Sequence, residues 1–246
     1  MFMKYLLIIF FILFSFVTNA QERELQWNFP VRPGTEEWGQ LRTEQERIAA
    51  VQVPEDILEK LSAEELVRLT LTFPAFGHFG AFNTSQEGFY VMLSRYNIFQ
   101  HLLSRNDVGG PLIRAYKDAG MEGFRTLPYS NEFWNLRLYY IELLLSQREI
   151  LQSLTQEEKL ELITEARLKF DEKISDENFL SYPGILFTVR IMAGVLNTVE
   201  HPEFTASQNR LTTTRFIETG TLDEASVADE IIRMTDNYIN TKRQSQ

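Results

Sequence analysis

Pro183-Gly-Ile-Leu-Phe-Thr-Val-Arg-Ile-Met-Ala-Gly-Val-Leu-Asn-Thr-Val199 is the stretch on which the fold turns. Ile185, Leu186, Phe187, Val189, Ile191, Met192, Val195 and Leu196 surround a single charge, Arg190. A helix that is apolar all round belongs in a core or in a bilayer. This one falls short of the ~20 residues that cross hydrocarbon and carries its arginine at the centre, so it reads as a core helix. Pro183 suits its first turn, where a missing N–H is no loss. A helix buried on every side needs other helices around it.

The flanking sequence supplies them. Periodicity predicts helices over 36–51, 54–61, 63–73, 85–104, 109–119, 130–153, 156–174 and 222–240 besides 183–199. In 130–153, Tyr140, Leu143, Leu144 and Leu151 form a wide apolar arc opposite a narrow stripe of Glu142, Ser146 and Glu149. In the last helix, Val227, Ile231, Met234 and Tyr238 recur at helical spacing. Thr43-x-x-Glu46, Ser62-x-x-Glu65, Thr84-x-x-Glu87, Thr155-x-x-Glu158 and Thr221-x-x-Glu224 have the capping-box form ahead of apolar runs. Gly120 fits the residue after a helix. Residues 200–220 read as a short strand, an irregular loop or a frayed helix. The expected fold is all-α, with antiparallel helices in a compact bundle or a short stacked array.

At the N-terminus, Lys4 precedes the uncharged apolar run Tyr5–Val17, and Thr18-Asn19-Ala20 resembles a signal-peptidase site. The expected organisation is a cleavable signal at 1–20, an extended arm at 21–34 kept out of helix by Pro30 and Pro33, and one helical domain at 35–246. A retained signal anchor is the alternative. With no cysteine, neither disulfides nor thiolate metal sites contribute. The net charge of −10 opposes nucleic acid, whose phosphates need a basic face.

Trp38, Glu46-Arg47, Gln52-Val53-Pro54-Glu55 and Leu58-x-x-Leu61-Ser62-x-Glu64-x-Leu66 resemble the N-terminal part of a family of uncharacterised exported helical proteins of bacteria. The resemblance covers roughly residues 36–120. It implies export to the periplasm or medium of a bacterium, and no activity. Separately, Leu58-x-x-Leu61-Ser62-x-Glu64-Glu65 is echoed by Leu151-x-x-Leu154-Thr155-x-Glu157-Glu158, either as a duplicated unit or as a repeated helix–cap–helix junction.

No zincin, nucleophile-elbow, phosphate-loop or dinucleotide motif is present. His78, His101 and His201 share no helical spacing suited to a metal, and no motif calls for a cofactor. His201 is expected to cap the helix ending near 199 as a cation. Glu142, in an apolar helix, is the carboxylate best placed for a raised pKa, unless a neighbouring Lys or Arg satisfies it. Arg190 needs an acceptor, either an internal Asp or Glu, or the carboxylate or phosphate of a ligand. Asn197 lies two turns along the same face, with Gly194 between them to admit a ligand or a backbone.

Phe73-Pro-Ala-Phe-Gly-His-Phe-Gly-Ala-Phe82 fits no regular template. It is either an aromatic binding loop led by Phe76, His78 and Phe79, or a connector folded onto the core. The chain is therefore expected to be an exported, non-catalytic helical protein that binds an envelope protein or a small ligand, without stable membrane insertion once the signal is removed. The alternatives are a carboxylate-based hydrolase of envelope polymers and a structural component of an envelope assembly.

Overall fold

The structure, a computed structural model, describes residues 27–119, 131–175 and 182–245. The expected signal segment, the first residues of the arm and Gly120 lie outside them. Among the described residues there are fourteen α-helices, one 3-10 turn and no strand. None of these helices is long and apolar enough to cross a membrane.

In chain order the helices are α1 (Glu36–Gln40), α2 (Glu44–Ala50), α3 (Glu55–Leu58), α4 (Ala63–Leu71), a 3-10 turn (Phe76–Ala81), α5 (Ser85–Arg95), α6 (Asn97–Ser104) and α7 (Gly109–Asp118). After them come α8 (Asn131–Leu145), α9 (Arg148–Ser153), α10 (Gln156–Ser175), α11 (Tyr182–Thr198), α12 (Pro202–Ala206), α13 (Arg210–Thr219) and α14 (Ala225–Gln244).

Every residue of α11 from Thr188 to Leu196 is buried. Helices α8, α9, α10, α12, α13 and α14 all pack on it. Lys173, near the end of α10, bonds Gly184 and Thr188 at the start of α11, so these two neighbours run antiparallel. Helix α14 buries Val227, Ile231, Met234 and Tyr238, the face its spacing predicts. Each buried aliphatic side chain of this kind contributes about 1.5–3 kcal/mol. The described part of the arm is docked as well. Phe29 is buried against Phe73, and Arg68 donates to the Trp27 carbonyl and the Asn28 side chain.

Thr43 and Ser62 make full capping boxes, as does Thr155 by reciprocal bonds with Glu158. Thr84 caps the Glu87 N–H. The expected box at Thr221 does not form, since α14 starts at Ala225 with Glu224 as its N-cap and no side-chain cap.

Three of the expected long helices are broken. The 36–51 helix stops at Leu41 because the Thr43 box starts a new helix. The 85–104 helix breaks at Tyr96, which is extended. There the Asn97 N–H donates to the Gln52 side chain, and the Asn97 amide pairs with both backbone groups of Val53. The 130–153 helix breaks at Ser146 and Gln147, whose side chains both donate to the Leu143 carbonyl and so satisfy a buried helix end. Residues 200–220, ambiguous in sequence, form α12 and α13.

Candidate functional site

Helix α8 carries Glu142 into the core, where it is fully buried. Lys173 Nζ lies 2.7 Å from both carboxylate oxygens. The Tyr116 and Thr188 hydroxyls donate to Oε1 at 2.7 and 2.8 Å. Lys173 also donates to the Gly184 carbonyl and to Thr188 Oγ1. Burial pulls the Lys173 pKa down, against the pull of Glu142, and pushes that of Tyr116 well up. A neighbour's lysine thus satisfies the carboxylate, which lines neither of the two cavities described below. Glu149 lies beyond the break in α9 and is exposed, so the expected stripe of two glutamates is split.

Arg190, at the centre of α11, is also buried, at 3 % exposure, but its surroundings differ. Its Nε donates at 2.8 Å to the carbonyl of Ile217, in the last turn of α13. That turn ends at Gly220, whose φ of 73° closes the helix with its N–H on the Phe216 carbonyl. The guanidinium therefore serves a helix C-terminus, where unsatisfied carbonyls and the helix dipole favour a cation. No carboxylate among the described residues pairs with it, and its Nη1 is buried without a partner. The expected internal salt bridge is absent. Burial pushes the Arg190 pKa down to about 10, so the group stays charged at neutral pH.

Two cavities share Arg190 and Gln86 as lining residues. The larger, about 930 Å³, lies among α5, the α8–α9 junction, α11 and α13 and includes Tyr90, Gln147, Gly194, Asn197, Glu200 and Glu218. The smaller, about 250 Å³, lies between the first turn of α5, the start of α11 and the turn Gly220–Leu222. Gln86 and Gln147 are buried and exchange amide bonds at 2.9 and 3.2 Å on the wall of the larger cavity.

Of the five residues singled out in sequence, Arg190 and Asn197 line the larger cavity together. Phe76, His78 and Phe79 line neither. Phe79 is 2 % exposed and stacks on Tyr140, while half-buried Phe76 tilts against the same ring. A Cβ on Gly88 of α5 would lie 2.1 Å from the Phe79 carbonyl oxygen, so the segment is seated directly on that helix. Phe79 therefore belongs to the core, while Phe76 is half-buried and His78 and Phe82 are exposed. Gly194 does not admit a ligand, since Leu151 fills the space over it, 2.5 Å from where a Cβ would stand.

The end of α11 is closed by backbone rather than by a cationic imidazole. The His201 N–H bonds the Leu196 carbonyl and the Glu200 N–H that of Asn197, with Glu200 at φ 51°, a position that usually holds glycine. Burial lowers the His201 pKa, and its ring meets the edge-on ring of Tyr238 with Nδ1 unpartnered. Sequence reading missed Gln86, Gln147 and Gly220. Gly220, just after Phe216-Ile217, was the one signal available for the helix end that Arg190 serves. Compared with known protein families, with curated proteins and with solved structures, the chain matches none.

Proposed function

We propose that this chain is an exported, non-catalytic binding protein that holds a ligand in the cavity beside Arg190. The observation that carries this reading is a buried guanidinium, without a carboxylate partner among the described residues, on the wall of a cavity of about 930 Å³. Ligand sites of roughly 300–1,000 Å³ with a few convergent polar groups are the common form. The support for export is the charged n-region and short apolar run at the start of the sequence.

The hydrolase reading needs an acid in an apolar setting beside solvent. Glu142 has the apolar setting but is held by Lys173, away from either cavity, and the cavity acids Glu149, Glu200 and Glu218 are exposed. An assembly role needs a contiguous apolar surface. The exposed large apolar side chains among the described residues are few, and include Phe82, Tyr90, Leu168, Ile174 and Leu211.

The test is to purify the protein from the envelope of its native host, denature it, and identify released small molecules by mass spectrometry. We expect a stoichiometric ligand on the wild type and its loss from Asn197→Trp, which fills the cavity from an exposed position. A wild-type protein that carries nothing overturns the reading.

A further inference from the structure

We infer that the smaller cavity is a carboxylate-binding subsite, built for an acid group attached to an apolar carbon chain; this rests on the binding role proposed above. The first observation is the start of α5. Thr84 takes the Glu87 N–H on its hydroxyl and the Gly88 N–H on its carbonyl. The N–H groups of Ser85 and Gln86 have no partner among the described residues, and both residues line the cavity. Free N–H groups at the positive end of a helix form a ready anion cradle.

The second, independent observation is Arg190. A Cβ built on Gly220 would lie 3.5 Å from Arg190 Nη1, the buried nitrogen without a partner. Arg190 and Gly220 line the smaller cavity together with Ser85 and Gln86, so the guanidinium stands at the same end as the α5 amides. A helix N-terminus and a cation with spare donor capacity therefore converge on one space.

The identity of the acid follows from the walls. Among the described residues, Arg190 is the only charged one that lines this cavity. One buried cation balances a monoanion and leaves a phosphate monoester's second charge uncompensated, which favours carboxylate. Leu186, Phe187 and Leu222 supply the apolar wall. At about 250 Å³ the space suits the end of a ligand, with the remainder crossing Gln86 and Arg190 into the larger cavity. Two sources offer this chemistry, an organic acid and the C-terminus of a peptide.

Calorimetric titration with hexanoate and hexanamide, and with a leucine-ended tripeptide as free acid and as C-terminal amide, separates them. We expect at least one acid to bind tenfold or more tightly than its amide, and the better acid identifies the source. Equal affinity of acid and amide in both pairs, or no binding by either acid, overturns the inference. Ser85→Asp provides a second arm. An acid in the first turn favours the helix, so the fold should hold while the new carboxylate competes for the site. Acid affinity should fall at least tenfold with no drop in melting temperature, and unchanged affinity overturns the subsite. If the envelope-derived ligand stays bound to Ser85→Asp, the binding role stands and the subsite falls. If the acids bind as expected but the envelope-purified protein carries nothing, the subsite stands and the wider role falls.

Discussion

Replacing Lys173 with methionine keeps most of the side-chain length and removes the ammonium that faces Glu142. The carboxylate is fully buried and loses a partner 2.7 Å from each oxygen, but it keeps the Tyr116 and Thr188 hydroxyl donors. Breaking a buried pair from one side costs about 3–5 kcal/mol, and the two remaining donors place Lys173→Met near the lower end. Glu142→Leu is the harsher change, because it takes the carboxylate from Lys173, Tyr116 and Thr188 at once and leaves a buried ammonium without the charge it faces. In the double mutant no buried charge remains, and the residual defect is confined to the Tyr116 and Thr188 hydroxyls that lost the carboxylate, about 1–3 kcal/mol. The double mutant should therefore be more stable than Glu142→Leu alone, with a coupling energy of at least about 3 kcal/mol, large for a contacting pair. Urea denaturation at constant m-value measures all four proteins. Losses that simply add, or a single mutant within about 0.5 kcal/mol of wild type, a surface-like effect, would refute a closed buried pair.

Three further outcomes are expected. Phe79→Ala should cost about 3–5 kcal/mol as a large-to-small core change, whereas exposed His78→Ala should stay within about 0.5 kcal/mol in the same melts. Glu200→Gly should raise stability by up to about 1 kcal/mol, because glycine adopts a positive φ without the Cβ clash; an unchanged or lower melting temperature would show that the carboxylate side chain offsets the backbone strain. Burial lowers the folded pKa of His201 below its ordinary value near 6.5, so the unfolded chain takes up the proton first. The stability tied to this group is present above about pH 6.5 and is lost as pH falls through the lower folded value. His201→Gln should remove that part of the acid-side slope, seen as a smaller gap between melting temperatures at pH 7 and pH 5.

Burial of α11, the docking face of α14 and the helix starts at Thr43, Ser62, Thr84 and Thr155 were legible because they depend on residues a few positions apart. The break at Tyr96 was not, because its partners Gln52 and Val53 are distant in sequence, and at Ser146–Gln147 the capping is local but the Gln86 amide that holds Gln147 is distant. Helix α13 was hidden by Leu211-Thr-Thr-Thr, a run of low helix propensity. Tertiary burial of Thr213 and Phe216 overrides that propensity, and Thr213, Thr214 and Thr219 turn their hydroxyls back to carbonyls four residues earlier. At the site, the isolation of Arg190 in an apolar helix was enough to single it out with Asn197. That its acceptor is a helix terminus depends on the packing of α13 against α11, which local pattern does not encode. The Phe73–Phe82 segment stayed ambiguous because irregular sequence suits a binding loop and a core connector equally well.

If the proposed acid site is filled in the cell, the unmatched charge of Arg190 would tie occupancy to lifetime. An empty protein carries a buried cation that weakens the junction of α11 and α13, and an acid bound there would offset the defect while adding its own mass-action stabilisation. Vacant molecules would open more often and fall to proteases sooner than filled ones. The steady amount of the protein would then follow the supply of its ligand, with no change in the rate of its synthesis.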